Sequence, residues 1–144
     1  PVSALDVTIQ AQILKLILEL KEKYSLTILF ISHDLSVINQ IADRVMVMYL
    51  GHLVEVASTK KLFSNPKHPY TKSLIETAPQ IFRKNKNKII LKGDIPSPIN
   101  PPSGCVFRTR CPHASKDGKE ANIEMGLVEV EKGHWVDRCA TSCN

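Results

Sequence analysis

The chain has 144 residues, of which 43% are hydrophobic and 23% are charged, and its formal net charge is +5. This composition is typical of a soluble globular protein, and the positive charge permits anionic partners without choosing among them. Charged residues interrupt the longest apolar region, so the sequence predicts neither a signal peptide nor a spanning helix, and we expect a cytosolic or peripheral protein.

The first stretch of the chain looks like the interior of a longer protein. It begins with Pro1 rather than Met, and residues 1–6 are turn-like, with Asp6 placed to cap a helix. The spacing of apolar residues predicts that helix over about residues 7–23. The residues on its apolar stripe are Ile9, Ile13, Leu16, Ile17 and Leu20.

An unbroken apolar run follows and ends abruptly in Ser32, His33 and Asp34. A short run without alternation predicts a buried strand over about residues 26–31, covered on both faces as in a parallel α/β sheet. Because ligands bind beyond the carboxyl ends of such strands, His33 lies where chemistry is expected. The alternative is that the three polar residues form a plain turn in which Asp34 caps the next helix.

The pattern then predicts short elements in quick succession. A helix over 35–42 precedes two strands, 45–49 and 53–57, which a glycine turn joins into a hairpin. Ser58 or Thr59 caps a helical turn through Phe63, and a further helix is expected from Thr71 to Thr77.

A basic, polar run at residues 83–88 predicts a linker. It divides the chain into residues 1–80, a linker at 81–92, and a tail at 93–144. The proline-rich start of the tail predicts irregular backbone and only a small core. Since no aromatic residues are interleaved with the basic run, we expect no nucleic-acid partner.

The order of these elements resembles the last third of an ABC-transporter ATPase domain. In that family Ser-Ala-Leu-Asp forms the D-loop, and the histidine after the next strand is the switch histidine. The resemblance therefore implies a catalytic, nucleotide-contacting role for His33 and a D-loop made of Ser3, Ala4, Leu5 and Asp6.

Motifs in the second half resemble those of the oligopeptide and dipeptide importer ATPases. They are Asn65–Thr71, Gly93–Cys105, Arg110–Pro112 and Gly133–Trp135. The implied fold is α/β: the C-terminal part of an ABC-type P-loop ATPase domain, with a parallel core strand, helices and a β-hairpin, followed by a small irregular tail rich in cysteine and proline.

The resemblance also implies a mechanism and partners. An imidazole held at a strand end can donate a hydrogen bond to the terminal phosphate of ATP or to the attacking water. The D-loop, with Asp6, reaches across a nucleotide-sandwich dimer to a second ATP-binding subunit. Transmembrane permease subunits and, indirectly, a peptide-binding protein complete the importer, which places the subunit at the cytoplasmic face of the cell membrane.

No phosphate-binding glycine loop and no Leu-Ser-Gly-Gly signature occur in the sequence, and the acidic residues expected before Pro1 fall outside it. ATP and Mg²⁺ are therefore cofactors of the intact subunit, and we expect this chain alone to hydrolyse no ATP. Because the predicted strand at 26–31 has no neighbours here, we expect the isolated chain to be prone to aggregation.

Four cysteines lie in the last 40 positions: Cys105, Cys111, Cys139 and Cys143. Four thiolates suit zinc or an iron–sulfur cluster, and some importer ATPases of this family carry such a cluster. The third expected position, near Gly118, is not cysteine. Cys143, His134 or His113 could replace it, or the cysteines could be reduced thiols without a metal.

These observations predict part of the ATP-binding subunit of a peptide importer, in which ATP hydrolysis drives transport. The alternatives are a non-catalytic module that binds metal or braces a dimer, and the remnant of a split or decayed transporter gene.

Overall fold

The computed structural model describes residues 7–78, 91 and 93–142. The predicted D-loop, the basic run and Cys143 lie outside the described residues. The chain divides into two compact units, residues 1–42 and 43–144. No helix in the described ranges is both long enough and apolar enough to cross a membrane.

The first unit contains helix α1 (Val7–Tyr24) and helix α2 (Leu35–Ile41). Helix α1 ends where Ser25 takes a left-handed conformation with φ 50°. The N–H of Leu26 donates to the carbonyl of Lys21, and that of Ser25 to Glu22. This Schellman arrangement satisfies carbonyls that the helix end would otherwise leave unpaired.

Residues 26–31 were expected to form a buried parallel strand, but in the described residues they pair with no strand. Most of their apolar side chains are open to solvent, with Leu29 73% and Ile31 84% exposed. A strand needs a neighbour to accept and donate its ladder hydrogen bonds, and the described part of the chain supplies none for this segment.

The second unit is built on a four-stranded antiparallel sheet in the order β1-β2-β4-β3. The strands are β1 (Arg44–Tyr49), β2 (His52–Ser58), β3 (Leu127–Glu131) and β4 (His134–Asp137). The predicted hairpin is confirmed: Leu50 and Gly51 both have positive φ, at 46° and 80°, as a two-residue hairpin turn requires.

Helices accompany this sheet, and local signals in the sequence explain where two of them begin. They are α3 (Thr59–Ser64), α4 (Pro69–Thr77) and α5 (Arg138–Ser142), with a short 3-10 helix at Lys119–Asn122. The Ser58 hydroxyl accepts from the N–H of Lys61 and so caps α3. Helix α4 begins at Pro69, where proline's lack of an N–H costs no hydrogen bond because the first N–H groups of a helix have no partner within it.

The tail is only partly irregular. The tail was expected to be irregular over residues 93–144; residues 93–118 contain no helix or strand in the described positions, but β3, β4 and α5 follow them. Strand β4 pairs directly with β2, with Glu55 opposite Val136 and Val56 opposite Trp135. The sheet therefore joins residues on both sides of the predicted linker, and the division into 1–80, 81–92 and 93–144 stays a prediction.

The core of the second unit lies against the β2 and β4 strands. Its buried apolar residues come from the hairpin, from α3 and from the tail. They include Val47, Tyr49, Val54, Ala57, Leu62, Val106, Phe107 and Val136. The tail thus shares one core with the hairpin instead of building a separate small one.

Candidate functional site

The residues around His33 form a capped turn at the start of α2. The Asp34 carboxylate accepts from the backbone N–H of Ser36 at 2.9 Å and of Val37 at 3.3 Å, and from the Ser36 hydroxyl at 2.5 Å. The hydrogen bond from the Ser36 hydroxyl is the main reason that the pKa of Asp34 lies below its usual range. The predicted N-cap role of Asp34 is confirmed.

His33 itself is exposed on this turn. The Ser32 hydroxyl accepts from the N–H of Asp34 at 3.0 Å, which fixes the backbone on the C-terminal side of His33. In the described part of the chain the His33 ring has no hydrogen-bond partner, and its nearness to Asp34 contributes slightly to the lowered pKa of that carboxyl. The imidazole is therefore positioned by its backbone and open to a ligand from outside.

A second polar cluster lies in the buried core of the second unit and centres on Glu55. Its carboxylate accepts from the backbone N–H groups of Lys67 at 2.8 Å and His68 at 3.0 Å. The same carboxylate accepts from the His134 ring, with Nε2 at 2.7 Å from Oε1. Glu55 and His134 are both fully buried, so this is a desolvated pair that also anchors a turn.

Two further contacts join the same parts of the chain near the surface. The Lys67 ammonium lies 2.7 Å from the Glu131 carboxylate, and it lowers the pKa of that carboxyl. The Lys61 ammonium donates to the carbonyl of Lys132 at 2.5 Å. Together with the Glu55 cluster, these contacts attach the turn between β3 and β4 to α3 and to the start of α4.

His68 caps helix α4 from inside the core. Its Nδ1 accepts from the backbone N–H of Tyr70 at 3.1 Å, so Nδ1 must be unprotonated. Burial lowers the pKa of His68 to about 4, and the charge of Lys72 adds to this shift. His68 is thus a neutral structural residue at neutral pH.

An aromatic cluster packs around this cap. The Phe107 ring lies 5.2 Å from Tyr49, 5.3 Å from His68 and 5.6 Å from Tyr70, measured between centroids. Tyr49 and Tyr70 pack edge to face at 4.8 Å. Such pairs add to the stabilisation from burial alone, and they bring the tail against the hairpin and α4.

Acidification should destabilise the second unit through His68. The pKa of His68 is about 4 in the folded chain and 6.5 in the unfolded chain, so the unfolded chain binds the proton first as the pH falls. The contribution of neutral His68 to stability is therefore complete above about pH 6.5 and declines as the pH falls to about 4. Between pH 7 and pH 5 the free energy of unfolding should fall by about 2 kcal/mol from this group. Urea unfolding followed by Trp135 fluorescence measures this fall.

The matched variant is His68→Asn, because an amide oxygen can still cap α4 but cannot titrate. In this variant the free energy of unfolding should fall less between pH 7 and pH 5, because most of the contribution from His68 is lost. His113→Asn, at an exposed histidine, should leave the fall unchanged. An equal fall in wild type and His68→Asn would rule out His68 as the titrating group.

Two of the three tail cysteines that the structure describes lie side by side with a carboxylate. The Sγ atoms of Cys105 and Cys139 and a carboxylate oxygen of Asp137 all lie within 4.8 Å of one another, and all three residues are buried. Burial is the main reason that the pKa of the Cys105 thiol is raised, and Cys111 is close enough to act on it electrostatically. The His134 ring contacts Glu55 instead of this cluster, and His113 is exposed.

Sequence reasoning did not predict the partners of Glu55 or the position of Asp137. The available signal for Glu55 was a single carboxylate inside the apolar strand Leu53–Ala57, since a buried charge requires a partner. His68 and His134 were noted within motifs, but their spacing along the chain does not show that Glu55 joins the segments that carry them.

Comparison with known proteins shows which families and proteins this chain is similar to. The family model described as the C-terminal region of the oligopeptide/dipeptide transporter matches residues 54–117. The oligopeptide transport ATP-binding protein AppF of Bacillus subtilis (strain 168) is 54% identical over 139 residues, which cover 94% of this chain and 42% of AppF.

The oligopeptide transport ATP-binding protein OppF of Salmonella typhimurium is 52% identical over 120 residues, which cover 81% of this chain and 36% of OppF. The chain thus spans less than half the length of these relatives. Strands β3 and β4 lie beyond the residues that the family model matches, yet β4 pairs with β2 inside them. Residues 54–117 are thus similar to the C-terminal region of the oligopeptide/dipeptide transporter family, and most of the chain is similar to part of the oligopeptide transport ATP-binding proteins.

Proposed function

We propose that this chain is part of the ATP-binding subunit of a peptide ABC importer, in which ATP hydrolysis drives peptide transport. The observation that carries the proposal is the identity of about half of its residues to oligopeptide transport ATP-binding proteins over most of the chain. The match at residues 54–117 to the C-terminal region of peptide transporters supports the peptide as substrate.

His33 is the proposed contact to the terminal phosphate of ATP. Three features support it: the ring is exposed, the turn is fixed on one side by the Ser32–Asp34 hydrogen bond, and Asp34 secures that turn to α2. An imidazole N–H in such a turn stabilises charge that develops on the phosphate. Ser3, Ala4, Leu5 and Asp6 form the proposed D-loop, facing the second ATP-binding subunit.

The remaining ATP-binding groups are proposed to come from the rest of the subunit. A phosphate-binding loop supplies the backbone N–H cradle, a lysine and the Mg²⁺ ligands, which one imidazole cannot replace. The exposed apolar side chains at 26–31 are consistent with a segment that other strands cover. The subunit binds the permease subunits at the cytoplasmic face of the membrane, and a peptide-binding protein delivers the substrate.

The second candidate function, a metal-binding module in the tail, is supported by a different observation. Cys105 and Cys139 lie together in the core, and Cys111 acts electrostatically on Cys105. This role is compatible with an importer subunit, because the tail cluster and the His33 turn belong to different compact units.

An ATPase assay of the 144-residue chain and of the full-length subunit that contains it tests the proposal. The chain alone should hydrolyse no ATP, and the full-length subunit should. His33→Ala in the full-length subunit should lower kcat by roughly 10²–10³-fold, the usual cost of losing a group that stabilises transition-state charge. His52→Ala, at an exposed histidine of the hairpin, is the control and should retain the rate.

Two results would refute this proposal. Hydrolysis by the chain alone would mean that the phosphate is bound by groups within these 144 residues. An unchanged kcat in His33→Ala would remove the histidine from the catalytic site.

A further inference from the structure

Arg110 carries a charge that pairs with no carboxylate in the described residues. Its side chain is half-buried, and its Nε atom is fully covered but has no hydrogen-bond partner in that part of the chain. A guanidinium stays protonated at every pH at which proteins fold, so Arg110 cannot avoid the cost of burial by losing its proton.

Tyr49 adds a second buried polar group without a partner. The residue is only 4% exposed, and its hydroxyl makes no hydrogen bond within the described ranges. Buried donors are nearly always satisfied in folded proteins, because an unpaired one loses its hydrogen bonds to water without replacement. Two such donors in one place therefore indicate a missing acceptor.

A backbone turn brings Arg110 to Tyr49. The N–H of Arg110 donates to the carbonyl of Phe107 at 3.0 Å, and the Phe107 ring lies 5.2 Å from Tyr49 and 5.6 Å from Tyr70, measured between centroids. Burial raises the pKa of Tyr70, Tyr49 adds to this shift, and the charge of Arg110 opposes it. The guanidinium thus acts on the same pair of tyrosines that packs against Phe107.

We propose that Arg110 and Tyr49 bind one carboxylate group at this position. A carboxylate can accept two parallel hydrogen bonds from one guanidinium, at about 2.7–2.9 Å, and it keeps lone pairs for a hydroxyl donor. Its single negative charge balances the single positive charge of Arg110. The half-buried Tyr70 packs against Tyr49 and offers a further hydroxyl.

The surroundings favour a carboxylate over a phosphate group. A phosphate monoester carries nearly two negative charges at neutral pH, whereas the described groups that define this position include one cation. The other walls are the aromatic rings of Tyr49, Tyr70 and Phe107. Excess charge is costly in such an apolar setting, so a ligand with one charge fits better.

Two sources can supply this carboxylate. One is an aspartate or glutamate side chain in the part of the proposed full-length subunit outside this chain, which covers only 42% of a relative such as AppF. The other is a small free carboxylate. Both would make the same contacts with Arg110 and Tyr49, and the experiment below separates them.

The test follows the arginine Nε–H signals of the 144-residue chain by NMR while acetate replaces chloride at constant ionic strength. The Arg110 signal, assigned by its loss in Arg110→Lys, should move and then saturate, because its Nε–H gains a charged acceptor. The Arg108 signal should stay, since its Nε already donates to the carbonyl of Ser103 at 3.0 Å.

A second measurement works at low protein concentration. Acetate should raise the urea midpoint that Trp135 fluorescence reports, because a ligand that binds only the folded chain stabilises it. Arg110→Lys keeps the charge but loses the planar pair of donors, and it should weaken acetate binding by at least about tenfold. Arg108→Lys, in the same turn, is the matched control and should bind acetate like wild type.

Tyr49→Phe tests the hydroxyl, because it removes the oxygen and keeps the ring. It should weaken acetate binding by about tenfold, as expected for one lost hydrogen bond to a charged group. Tyr24→Phe, at an exposed tyrosine of α1, is the control for this change and should leave the affinity unaltered.

The full-length subunit distinguishes the two sources of the carboxylate. An Arg110 signal that is already at its acetate-bound position without acetate would show that the subunit supplies the group. A signal that still moves when acetate is added would show that the ligand is a free carboxylate.

Three results would overturn the inference. An Arg110 signal that keeps its acetate-free position in both proteins at every acetate concentration would leave these donors to water. Unchanged affinity in Tyr49→Phe would remove the hydroxyl from the site. Tighter binding of inorganic phosphate than of acetate would assign the site to another class of anion. None of these results bears on ATP hydrolysis, so the importer function stands or falls separately.

Discussion

Replacing Glu55 with alanine is expected to lower the free energy of unfolding of the second unit by about 3–5 kcal/mol. The variant leaves the buried His134 ring and two backbone N–H groups, those of Lys67 and His68, without their acceptor. Each buried donor without a partner costs about 1–3 kcal/mol, so several such losses in one place exceed the effect of an ordinary substitution.

Urea unfolding followed by the fluorescence of Trp135, the chain's one tryptophan, measures this loss, because Trp135 lies on β4 beside His134. Glu124→Ala is the control, since Glu124 is exposed in the loop before β3. It should unfold like wild type. A loss below about 1 kcal/mol for Glu55→Ala would mean that the pair acts like an exposed surface ion pair.

The second large effect is expected at Gly104, where an alanine should cost about 3–4 kcal/mol of stability. Gly104 has φ +63°, and a Cβ there would overlap the backbone carbonyl of Glu120 and lie 2.5 Å from the carbonyl carbon of Ala121. The approach is close because the next residue, Cys105, donates its N–H to that same Glu120 carbonyl. Backbone atoms cannot move aside as a flexible side chain can.

Gly118→Ala separates the two causes of this cost. Gly118 has a similar φ of +69°, but nothing lies within 4 Å of the position that its Cβ would take. It should therefore lose only the left-handed strain, about 1–2 kcal/mol. Equal losses for the two variants, measured by urea unfolding, would show that the contact with Glu120 adds nothing.

The elements that the sequence predicted well are those governed by local signals. The hairpin follows from two apolar runs around a glycine turn, and α2 from Asp34 at its N-cap. The bounds of the predicted helices differ from the observed ones by only one or two residues, because caps and proline act within one turn.

The elements that sequence reasoning missed depend on contacts between distant residues. Strand β3 is mostly half-buried or exposed, and its polar alternation Leu127–Glu131 gives only a weak signal. Strand β4 is only four residues long, and it is stabilised by pairing with β2 and by the bond from His134 to Glu55, 79 positions away. Such pairings cannot be derived from spacing in one sequence.

Segment 26–31 shows the opposite case: its sequence strongly predicts a strand, but the described structure contains none there. Its unbroken apolar pattern is that of a strand between neighbours, but the sheet that the structure describes is made only of residues from 44–58 and 127–137. Without a neighbouring strand in the described residues, several of its apolar side chains remain exposed.

The candidate sites also differ in whether local sequence signals or contacts between distant residues reveal them. His33 could be proposed from its position after an apolar run, because its role depends on one turn. The buried cluster of Cys105, Asp137 and Cys139 could not, because Cys105 lies far from the other two residues in the sequence. The sequence shows that Asp137 is close to Cys139 along the chain, but only the structure shows that both lie beside Cys105 in the core.

Peptide uptake by the complete importer tests the central claim most directly. Membrane vesicles that contain the permease subunits, both ATP-binding subunits and the peptide-binding protein, with this sequence in one full-length ATP-binding subunit, should accumulate a labelled oligopeptide only when ATP is present. His33→Ala should abolish the accumulation, while His52→Ala preserves it. ATP-dependent uptake that continues unchanged in His33→Ala, or ATP hydrolysis without any peptide uptake, would contradict the claim.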